Sequence, residues 1–257
     1  MQFVQRFIAD QVRPSTSFEP PTWFIDQNGH TFTLLYGTPI LQGQLPSPHE
    51  FGSVGVNDAV DHIRAAWVAA VGEQSAQLDQ LIAAYSQPNR RYHSVTHIAW
   101  VLRHLNQLSH HPLPTTTAAA LYHDVIYDPR SATNEADSAD LASQQLADIG
   151  WTPGDIQRVA TMIMATAGHA PTQDAELAAL LDADLAVLGS QPASYLVYVG
   201  NIRAEYAHVA QHDWRVGRSM MLRSFLDRTR IFSTDAMYVR RELAARRNLA
   251  SELATLQ

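Results

Sequence analysis

The stretch LYHDVIYDP, residues 121–129, sets His123 and Asp124 side by side in an apolar run that reads as a helix, with Asp128 one turn on. A buried helical face does not carry an imidazole and two carboxylates without partners, because burying such groups unpaired costs several kcal/mol. Three other stretches raise the same question. Tyr92-His93-Ser94-Val95-Thr96-His97 spaces two histidines at i and i+4, on one helical face if the helix starts that early. Gly168-His169 follows the apolar run MIMATA, and Asp182-Ala183-Asp184 interrupts a run of leucines and alanines. Singly, each has a bland reading as a satisfied core histidine, a polar pair bonded to backbone, or a salt bridge to a downstream arginine. Positions i and i+2 point about 200° apart on a helix, so one of Asp182 and Asp184 faces away from any shared centre. Gathered in one core, the set makes a cavity of imidazoles and carboxylates, which is stable around a cation or a dense hydrogen-bond network. A metal site is the stronger reading.

Working outward, apolar residues recur at three and four from about residue 58 to the end. Asn57 and Asp58 cap DAVDHIRAAWVAAV, and a second helix runs from about Glu73 to Tyr85. Helices are expected over SVTHIAWVLRHLNQL, TTTAAALYHDVIY, NEADSADLASQQLADIG, DIQRVATMIMATA and DAELAALLDADLAVLG, with three longer ones after Pro192 broken near His212 and Ser233. Gly150 stands where a left-handed cap ends a helix. The first residues differ: WFIDQNGHTFTLL reads as two strands around Asn28-Gly29, and the Pro- and Gly-rich stretch after Tyr36 reads as a loop. The expectation is an all-α domain over residues 58–257 with a β-hairpin-containing extension over residues 1–57.

Composition narrows the chemistry. The 257-residue chain has no cysteine, which excludes disulfides, thiolate metal sites and cysteine nucleophiles, so a metal must be held by His, Asp and Glu. The net charge of −7 offers no general attraction to nucleic acid or an acidic membrane, and no apolar run is long enough to span a bilayer. A soluble, cytoplasmic protein without nucleic-acid or membrane partners is expected; homo-oligomer formation stays open. No GxSxG elbow or Walker loop is present.

The order His97, His123-Asp124, then an aspartate of Asp182-Ala183-Asp184 resembles the H…HD…D signature of the HD-domain phosphohydrolases. PNRRYHSVTHI, LYHDVIYDP, NEADSA, ATAGH, LLDADLAVLG and NIRAEY are similar to successive blocks of a bacterial subgroup of predicted metal-dependent HD phosphohydrolases, over residues 65–250. The resemblance implies an HD-type helical bundle in which His97, His123, Asp124 and Asp184 hold one divalent ion, with Asp182 as the alternative to Asp184. Such a mixed set suits Mn²⁺, Fe²⁺, Co²⁺ or Ni²⁺, with Mg²⁺ or Zn²⁺ also open. Only His169 lies between Asp124 and Asp184 as a further histidine, which favours one ion over two. The reaction implied is hydrolysis of a small phosphoester, a nucleotide or related phosphometabolite, by a metal-activated water. The alternative is a non-catalytic nucleotide-binding module on the same fold.

Candidates for the acid or base are Asp128 and Glu135, with Glu135 preferred because Tyr127 replaces the first residue of the acidic pair that follows HD in related guanosine polyphosphate hydrolases. Glu135 also fits the first turn of a helix as a plain partner of the helix dipole. Substrate phosphate is expected to meet Arg90, His93, His169 and Arg203, although Arg203 equally suits pairing with Glu205 or an aspartate. Arg218, Arg223, Arg228 and Arg230 are expected on a solvated face.

Overall fold

The computed structural model describes residues 55–256 apart from 74 and 110 and, ahead of them, the strand residues 23–25, 31–35 and 38–41. Strands β1 (Trp23–Ile25), β2 (Thr31–Leu35) and β3 (Thr38–Leu41) pair antiparallel in that order, with Phe24 opposite Phe32 and Thr33 opposite Ile40. The Asn28-Gly29 turn lies outside the described residues. Strand β3 falls in the stretch that composition assigns to a loop: TPIL is short and apolar enough to pair even with Pro39 in it.

From residue 55 the chain is helical. Among the described residues ten α-helices follow: α1 (Val56–Ala70), α2 (Ala76–Tyr85), α3 (Val95–Leu108), α4 (Pro114–Tyr122), α5 (Asn134–Asp148), α6 (Pro153–Ala165), α7 (Ala175–Leu185), α8 (Pro192–Glu205), α9 (Gln211–Leu226) and α10 (Asp235–Thr255), with a 3-10 turn over Ala186–Gly189. Local chemistry sets several ends. Pro114, Pro153 and Pro192 open their helices, where a missing N–H costs nothing. Gly150 (φ 86°) closes α5, with Trp151 N–H reaching Leu146 O and Gly150 N–H reaching Ala147 O. The side chains of Thr152, Asp174 and Thr234 each accept from a first-turn N–H.

The reading of residues 121–129 as helix is corrected here. Helix α4 stops at Tyr122, and Val125 N–H turns back to Tyr122 O. The β-branched pair Val125-Ile126 and Pro129 leave no reason for the helix to continue. Asp128 therefore does not sit one helical turn above Asp124.

Two hydrophobic cores divide the helical part. One joins α1 to α7 around Ile63, Trp67, Leu102 and the fully buried Ala118, Ala119 and Ala120, whose small side chains let α4 sit close against α1 and α6. The other joins Tyr92 and Trp100 to the 3-10 turn, α8, α9 and α10 around Tyr195, Trp214, Leu222 and Phe232. Burying side chains of this size contributes about 1.5–3 kcal/mol each. Helices α3 and α7 border both cores: Val101 and Leu102 face the first and Trp100 the second, as Ala183 faces the first and Leu185 the second. His97 and Asp184 lie on these two shared helices.

Candidate metal centre

The site is assembled from four pieces of chain. His97 comes from the first turn of α3, His123 and Asp124 from the turn ending α4, and Asp184 from the last turn of α7. His97 Nε2 stands 3.3 Å from His123 Nε2, 3.4 Å from Asp124 Oδ2 and 3.2 Å from Asp184 Oδ1; His123 Nε2 stands 3.2 Å from Asp124 Oδ2 and 3.6 Å from Asp184 Oδ1. Ligand atoms about 2.0–2.2 Å from a common ion are about 2.8–3.1 Å apart at octahedral angles and about 3.3–3.6 Å at tetrahedral ones, so these separations suit one ion. His97, His123 and Asp184 form a group able to hold a metal ion, with Asp124 bordering it.

Neighbours fix which atom each ligand presents. His123 Nδ1 donates to Ala120 O at 2.9 Å, leaving Nε2 to face the cluster. His169 Nε2 donates to Asp184 Oδ2 at 2.7 Å, so Asp184 turns Oδ1 inward. Outer contacts of this kind orient metal ligands. The turn carrying Asp124 is braced from behind: Tyr85 hydroxyl donates to Leu121 O and accepts from Asp124 N–H, while Arg90 donates to Asp124 O at 2.6 Å and Val125 O at 2.7 Å.

Charge within the cluster is mutual. Burial opposes ionisation of Asp124 and Asp184, yet His123 and the other imidazoles hold both carboxyls well below the usual carboxylate range. Burial likewise opposes charging His97 and His123, and the two aspartates outweigh it and raise both imidazoles. Protons and a divalent ion compete for such a set, since imidazoles must be neutral to bind metal.

Further out lies a carboxylate that sequence reading missed as a site residue. Glu205, buried at the end of α8, accepts from the backbone N–H groups of Arg91, Tyr92 and His93 through Oε1, and from His93 Nδ1 (2.7 Å) and the Tyr127 hydroxyl (3.0 Å) through Oε2. His93 is thereby held with Nε2 directed at the cluster, 3.9 Å from Asp124 Oδ2. The one sequence signal was an acidic residue on an otherwise apolar stretch of α8.

The remaining expected residues divide. Glu135, His93 and His169 line a cavity of about 40 Å³ together with Asp124 and Asp184. Glu135 is aimed there because Asn134, its neighbour, clasps Asp128 N–H and C=O with its amide, and Ser138 clasps Ile126 in the same way, docking the start of α5 on the turn after His123-Asp124. His169 adopts a left-handed backbone (φ 48°), and Arg228 grips the carbonyls of Gly168 and His169. Asp128, by contrast, lines a separate surface groove with Arg91, Arg130 and His208. Arg90 and Arg203 do not line the cavity: Arg90 serves the backbone carbonyls above, and Arg203 donates to Tyr206 O and Val209 O. Glu205, suggested as a partner of Arg203, pairs with His93. Arg218, expected on a solvated face, is 1% exposed and forms a two-pronged pair with Glu252. Asp182 faces away from the cluster and accepts from Ser233 N–H, Thr234 N–H and the Thr234 hydroxyl, tying α7 to the start of α10.

Compared with protein-family models, curated proteins and solved structures, the chain matches none.

Proposed function

We propose that the chain is a metal-dependent phosphohydrolase of the HD-domain type acting on a small phosphoester. The observation that carries this reading is the meeting of two Nε2 atoms and two carboxylate oxygens from residues 97, 123, 124 and 184, within 3.2–3.6 Å across the five separations above, with Asp124 and Asp184 lining a cavity that Glu135 also lines. The donor set fits a divalent ion of the Mn²⁺, Fe²⁺, Co²⁺ or Ni²⁺ type. What such an ion supplies when bound is Lewis-acid polarisation of a phosphoryl oxygen and a water whose pKa is brought toward neutrality.

The chain's own residues account for the rest. His97, His123, Asp124 and Asp184 hold the ion, and His169 keeps Asp184 in register. Glu135 orients the attacking water and takes its proton, returning it to the leaving oxygen. The phosphorus–oxygen ester bond breaks as the water oxygen bonds to phosphorus, giving an alcohol and inorganic phosphate. His93, fixed by Glu205, offers Nε2 to the phosphoryl group.

Chelator-stripped protein reloaded with Mn²⁺ or Co²⁺ is expected to release phosphate from members of a phosphometabolite panel. His123→Ala and Asp124→Ala should abolish metal uptake and turnover together, and Glu135→Gln should lower kcat about 10²–10⁴-fold with metal retained. Metal-loaded protein that hydrolyses nothing in the panel, yet is stabilised by one of its members in a thermal melt, would be a binding module instead.

A further inference from the structure

We infer that the substrate carries a single phosphoryl group on a small apolar or aromatic alcohol, and that nucleoside di- and triphosphates are excluded; this rests on the hydrolase reading above. The cavity has two unlike sides. One is the cluster with His93, His169 and Glu135; the other is the wall of Leu185, Val187, Leu188, Met221 and Phe225, joined by Tyr198. That wall comes from the end of α7, the 3-10 turn and α9, all part of the second core.

Charge decides what the head of the ligand is. Asp124 and Asp184 already offset the charge of a divalent ion, so any phosphate beyond the one at the ion needs cationic side chains beside it. The chain contains no lysine. The arginines nearest in the fold are committed to protein: Arg90 to three backbone carbonyls, Arg218 to Glu252, Arg228 to Gly168 and His169. Among the described residues no guanidinium lines the cavity, and Glu135 adds a carboxylate to it. Further phosphates would lie there as uncompensated anions.

Surface decides the rest. The cavity is partly open, so its lining rather than its volume selects the alcohol. With the phosphoryl head beside the cluster, the alcohol is left against carbon. Met221 is the adjustable part of that wall, since an unbranched thioether changes shape easily.

The test is a comparison of kcat/KM on Mn²⁺-loaded protein of measured metal content, with phenyl and butyl phosphate set against AMP, ADP, ATP and glucose 6-phosphate. The aryl and alkyl esters are expected to exceed ADP, ATP and the sugar phosphate at least tenfold. Phe225→Leu should raise KM for phenyl phosphate severalfold while leaving the inhibition constant of inorganic phosphate unchanged. ADP or ATP turned over as well as phenyl phosphate would overturn the inference and leave the hydrolase reading standing. Metal-bearing protein inert toward every ester would remove the hydrolase reading itself. The wild-type panel alone decides the matter if Phe225→Leu does not fold.

Discussion

Two of the buried ionic clusters among the described residues differ in whether the protein completes them. Around Arg218, Glu252 receives two guanidinium bonds and the Tyr195 hydroxyl, while Tyr198 accepts from the same arginine. Every charge there has a partner of opposite sign from the chain. Around His97, nitrogen and oxygen atoms crowd together at 3.2–3.6 Å, with His123 Nδ1 turned outward to Ala120 O and Asp184 Oδ2 turned outward to His169, so that two Nε2 atoms and Asp184 Oδ1 face one another. A closed cluster fixes how the helices meet; an open one can hold a cation. The same contrast recurs within one helix. His97 and His104, seven residues apart on one face of α3, are both buried, but His104 donates to Trp100 O and accepts from Arg241, whereas His97 faces two carboxylates. Asp182 and Asp184 repeat it on α7, the first tied to the start of α10 and the second turned to the cluster.

The largest expected effect comes from breaking the closed cluster. Arg218→Met leaves Glu252 charged and unpaired in the core and should cost about 3–5 kcal/mol in urea unfolding, with the Arg218→Met, Glu252→Leu double variant recovering much of it. The open cluster should respond to metal instead. Divalent ion at a hundred times its Kd is expected to add about 2.7 kcal/mol to stability, an increment that the Arg218/Glu252 double variant keeps and His123→Ala lacks. Equal metal stabilisation of the His123→Ala protein would erase the distinction between the two clusters.

Next in size is an effect of pH. Burial, then Arg241, push the His104 imidazole from 6.5 down to about 4. A lowered folded pKa means that the unfolded chain binds the proton first, so stability is complete above pH 6.5 and falls as pH drops toward 4. At pH 5 the loss is about 2 kcal/mol by linkage. His104→Gln should remove that part of the decline between pH 7 and pH 5; a variant with the wild-type decline would show that His104 is not its source. The smallest expected effect is at the cap of α10: Thr234→Ala should cost about 1 kcal/mol and leave metal uptake intact, as fits a residue bonded to Asp182.

Helices were legible because their apolar residues recur at three and four whatever lies elsewhere in the chain. The convergence of residues 97, 123, 124 and 184 was legible for a different reason: ionisable groups on apolar faces announce a buried polar centre before its shape is known. What local pattern does not carry is the partner across space. Nothing around Arg218 in sequence points to Glu252, 34 residues on, and its helical spacing is equally that of a solvated residue. Arg90, two residues from Tyr92, looked like a phosphate ligand by proximity, yet its fork fits the carbonyls of the turn at Asp124. Glu205 was weighed as an arginine's partner and is instead the anchor of His93. The end of α4 at Tyr122 was missed because a turn that closes on its own backbone leaves the apolar spacing of the sequence unchanged.

The 3-10 turn after Asp184 is bolted to the last helix: a Cβ at Gly189 would lie 2.5 Å from that of Arg241, whose guanidinium reaches Ala186 O and Gly189 O, and Asn248 holds Leu188 O and Ser190 O. Helix α10 offers no side chain to the cluster, yet it locks the turn that follows Asp184. During synthesis Asp184 is therefore set in place only after α10 has left the ribosome, and any metal uptake by the cluster is expected to wait for that helix.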